Sequence, residues 1–88
     1  MADSYATVLE EICTLSEDRE GNRKRVRRVR WRYGAPKIDI RTWIEDGSKD
    51  GRPGKGVTLD LEEAAALRDA LTHYLQGKQQ GKQQSEQT

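Results

Sequence analysis

The sequence predicts an α+β fold, a four-stranded antiparallel sheet followed by one C-terminal helix, assembled as a homodimer. Three observations lead there. Apolar and polar residues alternate through most of the chain up to Asp60, short glycine- or asparagine-bearing turns punctuate that alternation, and the apolar period lengthens to about 3.6 only afterwards. Connections this short leave no room for crossover helices, so neighbouring strands must run antiparallel.

The elements follow in order. "VLEEICTLS", Val8 to Ser16, reads as the first strand, although the Glu10 and Glu11 pair breaks its period of two. "EDREGN" supplies the next turn, Gly21 and Asn22 both tolerating the left-handed backbone. A second strand is expected from about Lys24 to Tyr33 and a third from Pro36 or Lys37 to Glu45, joined at "YGAP" as a tight hairpin. "EDGSKDGRPGKG" reads as a polar loop and "GVTLD" as a short fourth strand. The helix then carries Ala64, Leu67, Leu71, Tyr74 and Leu75 on one stripe, with Asp60 as N-cap, Glu63 as its reciprocal partner and Gly77 as the end. After it, "KQQGKQQSEQT" has nothing apolar to bury and is expected to be disordered. The organisation is thus an N-terminal extension over residues 1–7, one domain over 8–76 and a Lys/Gln-rich tail over 77–88.

The 88 residues contain no apolar run long enough for a bilayer and no charged-then-apolar leader, so a soluble intracellular protein with no membrane partner is expected. Cys13 is the only cysteine and none stands beside His73, so neither an internal disulfide nor a zinc site is expected, nor any cofactor. A domain of this size buries only about 60% of the surface its unfolded chain exposes; association is the common remedy, hence the homodimer. No nucleophile and base pair is visible, and "GRPGKG" lacks the spacing and hydroxyl residue of a nucleotide-binding loop. An enzyme is not expected.

The formal net charge is only +1, yet the cations crowd between Arg19 and Arg32 while acids precede and follow them. Such a basic stripe is the footprint of a polyanion binder, a solvated charged face being its bland alternative. Within "KRVRRVRWRYGAPKIDIRTW", alternation turns Ile38, Ile40 and Ile44 toward the helix and Lys37, Asp39, Arg41 and Trp43 to the uncovered face. Cations for phosphates beside rings on which unpaired bases stack suit single-stranded nucleic acid. Asp39 is read as an ion pair that orients Arg41. In the second strand Arg28, Arg30 and Arg32 share one side with Val29, Trp31 and Tyr33 opposite, but Arg25 and Arg27 fall on the apolar parity. A bulge near Arg27 or Arg28 is expected to reconcile the two halves. Trp31 and Tyr33 keep two readings, core ring or stacking platform.

"PKIDIRTW" followed by "GRPGKGVTLDLEEAAAL" resembles the positive cofactor 4 family of transcriptional coactivators, small prokaryotic members included, over roughly residues 8–75. The resemblance implies a homodimer, each subunit a curved four-stranded antiparallel sheet with a C-terminal helix, that binds single-stranded or melted DNA along strand faces and loops. The family's contact pattern falls on Arg28, Arg30 and Arg32 of the second strand and on Trp31 before the hairpin. It continues on Lys37, Arg41 and Trp43 of the third strand and Lys55 of the proline-glycine loop. Against some members the hairpin carries a one-residue gap near Trp31, and Ala64 replaces a large aromatic at the helix start. The serine-rich arm of eukaryotic members has no counterpart, so a prokaryotic-type, nucleoid-associated cytoplasmic protein is expected, a nuclear one if the source is eukaryotic. The expected function is sequence-tolerant single-stranded DNA binding in transcription regulation or in replication and repair. The alternatives are an RNA-binding module and a protein-interaction coactivator that contacts the transcription machinery.

Overall fold

The computed structural model describes residues 6–85, with side chains through residue 78. Residues 1–5 of the expected extension and 86–88 of the expected tail lie outside them. Four strands precede one helix: β1 (Ala6–Glu17), β2 (Arg23–Trp31), β3 (Lys37–Ile44), β4 (Arg52–Leu59) and α1 (Leu61–Ser85). The strands form one open sheet in the order β1-β2-β3-β4, each antiparallel to its neighbours, as the short connections require.

The irregularity expected in β2 lies in β1 instead. Pairing of β2 with β3 runs unbroken from Arg23 opposite Trp43 to Val29 opposite Lys37, so β2 alternates strictly and carries no bulge against β3. Against β2, however, β1 slips between Val8 and Glu10, between Glu11 and Cys13, and between Thr14 and Ser16. The unpaired extra residues are Leu9, Ile12 and Leu15, all exposed. Each such insertion bends its strand and raises the local twist, which explains why the period of two fails in this segment.

The β1–β2 turn is closed by the Asp18 carboxylate, which accepts from the backbone N–H groups of Glu20 and Asn22 at 3.0 and 2.9 Å. Gly21 there adopts a φ of 88°, a conformation that costs glycine nothing. The hairpin leaves β2 at Trp31, whose carbonyl accepts from Gly34 N–H at 2.9 Å, so Arg32 and Tyr33 belong to the turn rather than the strand. β4 begins at Arg52, earlier than expected, because "RPGK" pairs with β3 across a bulge: Trp43 faces Pro53 and Arg41 faces Gly56. A side chain on Gly56 would overlap the Cβ of Arg41 and the carbonyl oxygen of Ile40, so only glycine lets the two strands approach there.

The helix start is the reciprocal cap expected. Glu63 N–H donates to Asp60 Oδ1 at 2.8 Å and Asp60 N–H donates to Glu63 Oε1 at 2.9 Å. Its end is not at Gly77, since α1 continues to Ser85. One glycine costs a helix only about 1 kcal/mol, and its Lys and Gln neighbours are good helix formers that offer the backbone no competing cap. α1 packs mainly against β3 and β4. Contrary to expectation it does not bury its own stripe, for Leu67, Leu71, Tyr74 and Leu75 remain 38 to 58% exposed. Among the described residues only Val29 and Trp43 are buried hydrophobics. A single chain therefore has almost no apolar core.

Candidate nucleic-acid interface

The unbroken β2–β3 register sorts the candidate residues onto two faces. Arg23, Arg25, Arg27, Val29 and Trp31 of β2 share one face with Lys37, Asp39, Arg41 and Trp43 of β3, here termed the Trp face. Lys24, Val26, Arg28 and Arg30 share the other with Ile38, Ile40 and Thr42, the isoleucine face. The eight residues singled out from sequence are therefore not one surface. Arg28 and Arg30 are exposed, but they stand behind the sheet from Trp31, Lys37, Arg41 and Trp43.

Asp39 organises one end of the Trp face. It is fully buried and accepts from Arg41 Nε at 2.7 Å and Arg41 Nη2 at 2.8 Å, and from the Thr58 hydroxyl at 3.0 Å. Arg41 Nη1 donates to the Gly54 carbonyl at 2.8 Å, so the bulge of β4 completes the clamp. The ion pair inferred from sequence is thus present, and its consequence is larger than orientation alone. With Nε, Nη1 and Nη2 all committed inside the protein, the Arg41 guanidinium lies over the Trp31 ring, 4.7 Å from its centroid. Trp31, half-buried, is the accessible member of this stack. Its ring is neither sealed in the interior nor fully exposed, and its indole N–H is buried without a protein partner.

Trp43 departs from expectation. Its side chain is 3% exposed, not uncovered. Arg27, 1% exposed, lies 4.6 Å above the Trp43 ring and is paired with Glu11 Oε1 at 3.0 Å and Oε2 at 2.8 Å. The cause is the β3–β4 loop, which folds back so that Arg27 Nη1 donates to the Asp50 carbonyl at 3.0 Å. That loop is internally braced, Ser48 donating from both its hydroxyl and its backbone N–H to Asp46 Oδ1. The Ser48 hydroxyl and N–H hold the Asp46 carboxyl below its ordinary range. A cavity of about 160 Å³ remains between residues 48–51 and Ala6 and Val8 of β1, with Trp43 in its wall. The Trp43 indole N–H is buried without a protein partner.

The Trp face is therefore two arginine-on-indole stacks, each guanidinium gripped by a carboxylate, one open and one roofed. Arg27, Glu11 and the loop were missed by sequence reasoning. Their signal was present, because Arg25 and Arg27 share the parity of Trp31, and only the expected bulge displaced them. Lys37, exposed at the start of β3, shares the face of the open stack. Arg32, with a φ of 55°, and Tyr33, 98% exposed, follow Trp31 in the hairpin. Lys55 is exposed in the β4 bulge, next to Val57 and Leu59, which pair with the isoleucines. Lys37 and Lys55 make no ion pair with a described residue.

The comparisons with known proteins identify the family. The family model described as Transcriptional Coactivator p15 (PC4) matches residues 19–70, from the β1–β2 turn into α1. A protein of Treponema pallidum (strain Nichols), described only as uncharacterized, is 43% identical over 69 residues, which cover 78% of this chain and 78% of that protein. The matched family is one of non-enzymatic coactivators that bind single-stranded DNA and act with the transcription machinery. By sequence and by its four-strand-and-helix architecture, this chain belongs to the Transcriptional Coactivator p15 (PC4) family.

Proposed function

We propose that this protein holds a DNA single strand across the open end of the Trp face, bases stacking on Trp31 and on the exposed ring of Tyr33, phosphates meeting Lys37 and Arg32. The observation that carries this reading is the Asp39–Arg41–Trp31 stack. A ring braced from beneath by a fully committed guanidinium is preorganised, so a base landing on it does not pay to immobilise it. Arg41 acts here as a positioning residue, and Arg28 and Arg30 lie outside this contact set. Trp43 contributes through the stability of the loop and Arg27, not as a free platform.

The working unit is proposed to be a homodimer. The uncovered stripe of α1 leaves apolar surface that a second copy would cover. Such a unit would act on melted DNA during transcription, or in replication and repair, at the nucleoid of a bacterial cell. RNA shares the stacking and phosphate chemistry, and matched DNA and RNA oligomers separate the two. Titration of intrinsic tryptophan fluorescence with an oligothymidylate and with a duplex of equal length, at two salt concentrations, tests the reading. Strong quenching by the single strand and little by the duplex is expected; equal quenching by both would overturn it.

A further inference from the structure

The cations of the Trp face are largely balanced within the protein. Arg27 is paired with Glu11, Arg41 with Asp39 and Arg23 with Glu17. The reverse of β2 is different. Lys24, Arg28 and Arg30 are exposed and none makes an ion pair with a described residue. Strict alternation sets them in one row, which spans about 20 Å at ~3.3 Å per residue. Glu10 lies opposite Arg28 across the β1 pairing, yet the two form no ion pair. The neighbours of the row on β3 are Thr42, Ile40 and Ile38, so no aromatic ring stands on this face of β2 or β3. Uncompensated cations therefore lie behind the sheet, away from both indoles.

We propose that Lys24, Arg28 and Arg30 form a second surface, which takes the phosphate backbone of a DNA duplex flanking the single strand. A surface with cations and no ring gains nothing from unpaired bases, whereas a duplex presents phosphates and keeps its base faces hidden. Arg30 and Trp31 are consecutive residues on opposite sides of the same strand end, so the two surfaces meet at the hairpin. A molecule built this way seats at a junction between melted and paired DNA. The inference rests on the single-strand reading for what the Trp face holds, and the duplex contact stands by itself.

The test uses the full chain and three probes: an oligothymidylate of about 12 nucleotides, a blunt hairpin duplex, and the same hairpin carrying that oligothymidylate as a tail. Wild type should bind the tailed hairpin more tightly than either part. The triple variant Lys24→Ala/Arg28→Ala/Arg30→Ala should lose that advantage and lower the logarithmic salt slope on the blunt hairpin by about 2.7, or 0.9 for each contact. Its affinity for the oligothymidylate should stay within about twofold of wild type, because a flexible single strand on the far face meets none of the three. Trp31→Ala should do the reverse, weakening the oligothymidylate and sparing the blunt hairpin. Equal weakening of the oligothymidylate and tailed hairpin by the triple variant would place the row on the single-strand path and overturn the proposal. So would a wild-type protein with no junction preference, or a triple variant whose sedimentation shows a changed oligomeric state, which would place the row in a subunit contact. Absence of oligothymidylate binding, with duplex binding kept by wild type and lost in the triple variant, would sink the single-strand reading while supporting the duplex surface.

Discussion

Replacing Asp39 by asparagine keeps the volume and one acceptor oxygen but removes the charge that holds Arg41. The carboxylate is fully buried and receives Arg41 Nε and Nη2 at 2.7 and 2.8 Å, with the Thr58 hydroxyl at 3.0 Å. Arg41 is itself only 13% exposed, so water screens the orphaned guanidinium little. Removing one partner of a buried ion pair costs about 3–5 kcal/mol, and the slight exposure of Arg41 argues for the lower end, about 3 kcal/mol. That is a large share of the roughly 5–15 kcal/mol that holds a small domain folded. Urea unfolding followed by circular dichroism, at one fixed protein concentration because dimerisation would add to apparent stability, measures the loss. Arg41→Met alone strands the buried carboxylate in turn, whereas the double variant strands neither. The two single losses should therefore exceed the double loss by about 2–3 kcal/mol. A loss below about 1 kcal/mol for Asp39→Asn, or strict additivity of the two changes, would show that the clamp is not what holds the stack.

Three further outcomes follow from the same geometry. Trp31→Ala should weaken oligothymidylate binding by about 1–3 kcal/mol, while Trp43→Ala should act on stability instead, by about 3–5 kcal/mol in the same urea assay. Gly56→Ala forces β4 away from Arg41 and Ile40 and should cost about 1–3 kcal/mol; an unchanged unfolding midpoint would show that the approach there is not tight. Gly77→Ala places its new methyl group where no atom lies within 4 Å, and should raise stability by about 0.5–1 kcal/mol, seen as a higher Tm. A fall in Tm would mean that α1 does not continue past this position.

Much of the architecture can be read in the residues. Alternation in "KIDIRTW", the turn at Gly21 and the Asp60–Glu63 cap each encode their element locally. The β1 anomaly was visible too, since Leu9, Ile12 and Leu15 recur every third position, a period of neither helix nor plain strand. Attributing the mismatch to β2 instead split the arginines wrongly and hid Arg27. The burial of Trp43 could not be read in the same way. It depends on a bond from Arg27 to the carbonyl of Asp50, 23 residues away, which no local pattern records. Asp39 lay between the extremes: its pairing with Arg41 is a contact two residues apart, but the Gly54 carbonyl that completes the clamp comes from the next strand.

The central claim is that Trp31, and not Trp43, meets the nucleobase. Single-tryptophan variants separate the two rings directly. In Trp43→Phe, where Trp31 alone emits, an oligothymidylate should quench the fluorescence strongly and saturably, and in Trp31→Phe, where the buried Trp43 alone emits, it should change little. Strong quenching of Trp43 with an indifferent Trp31 would contradict the account, because the roofed ring would then be the one that bases reach.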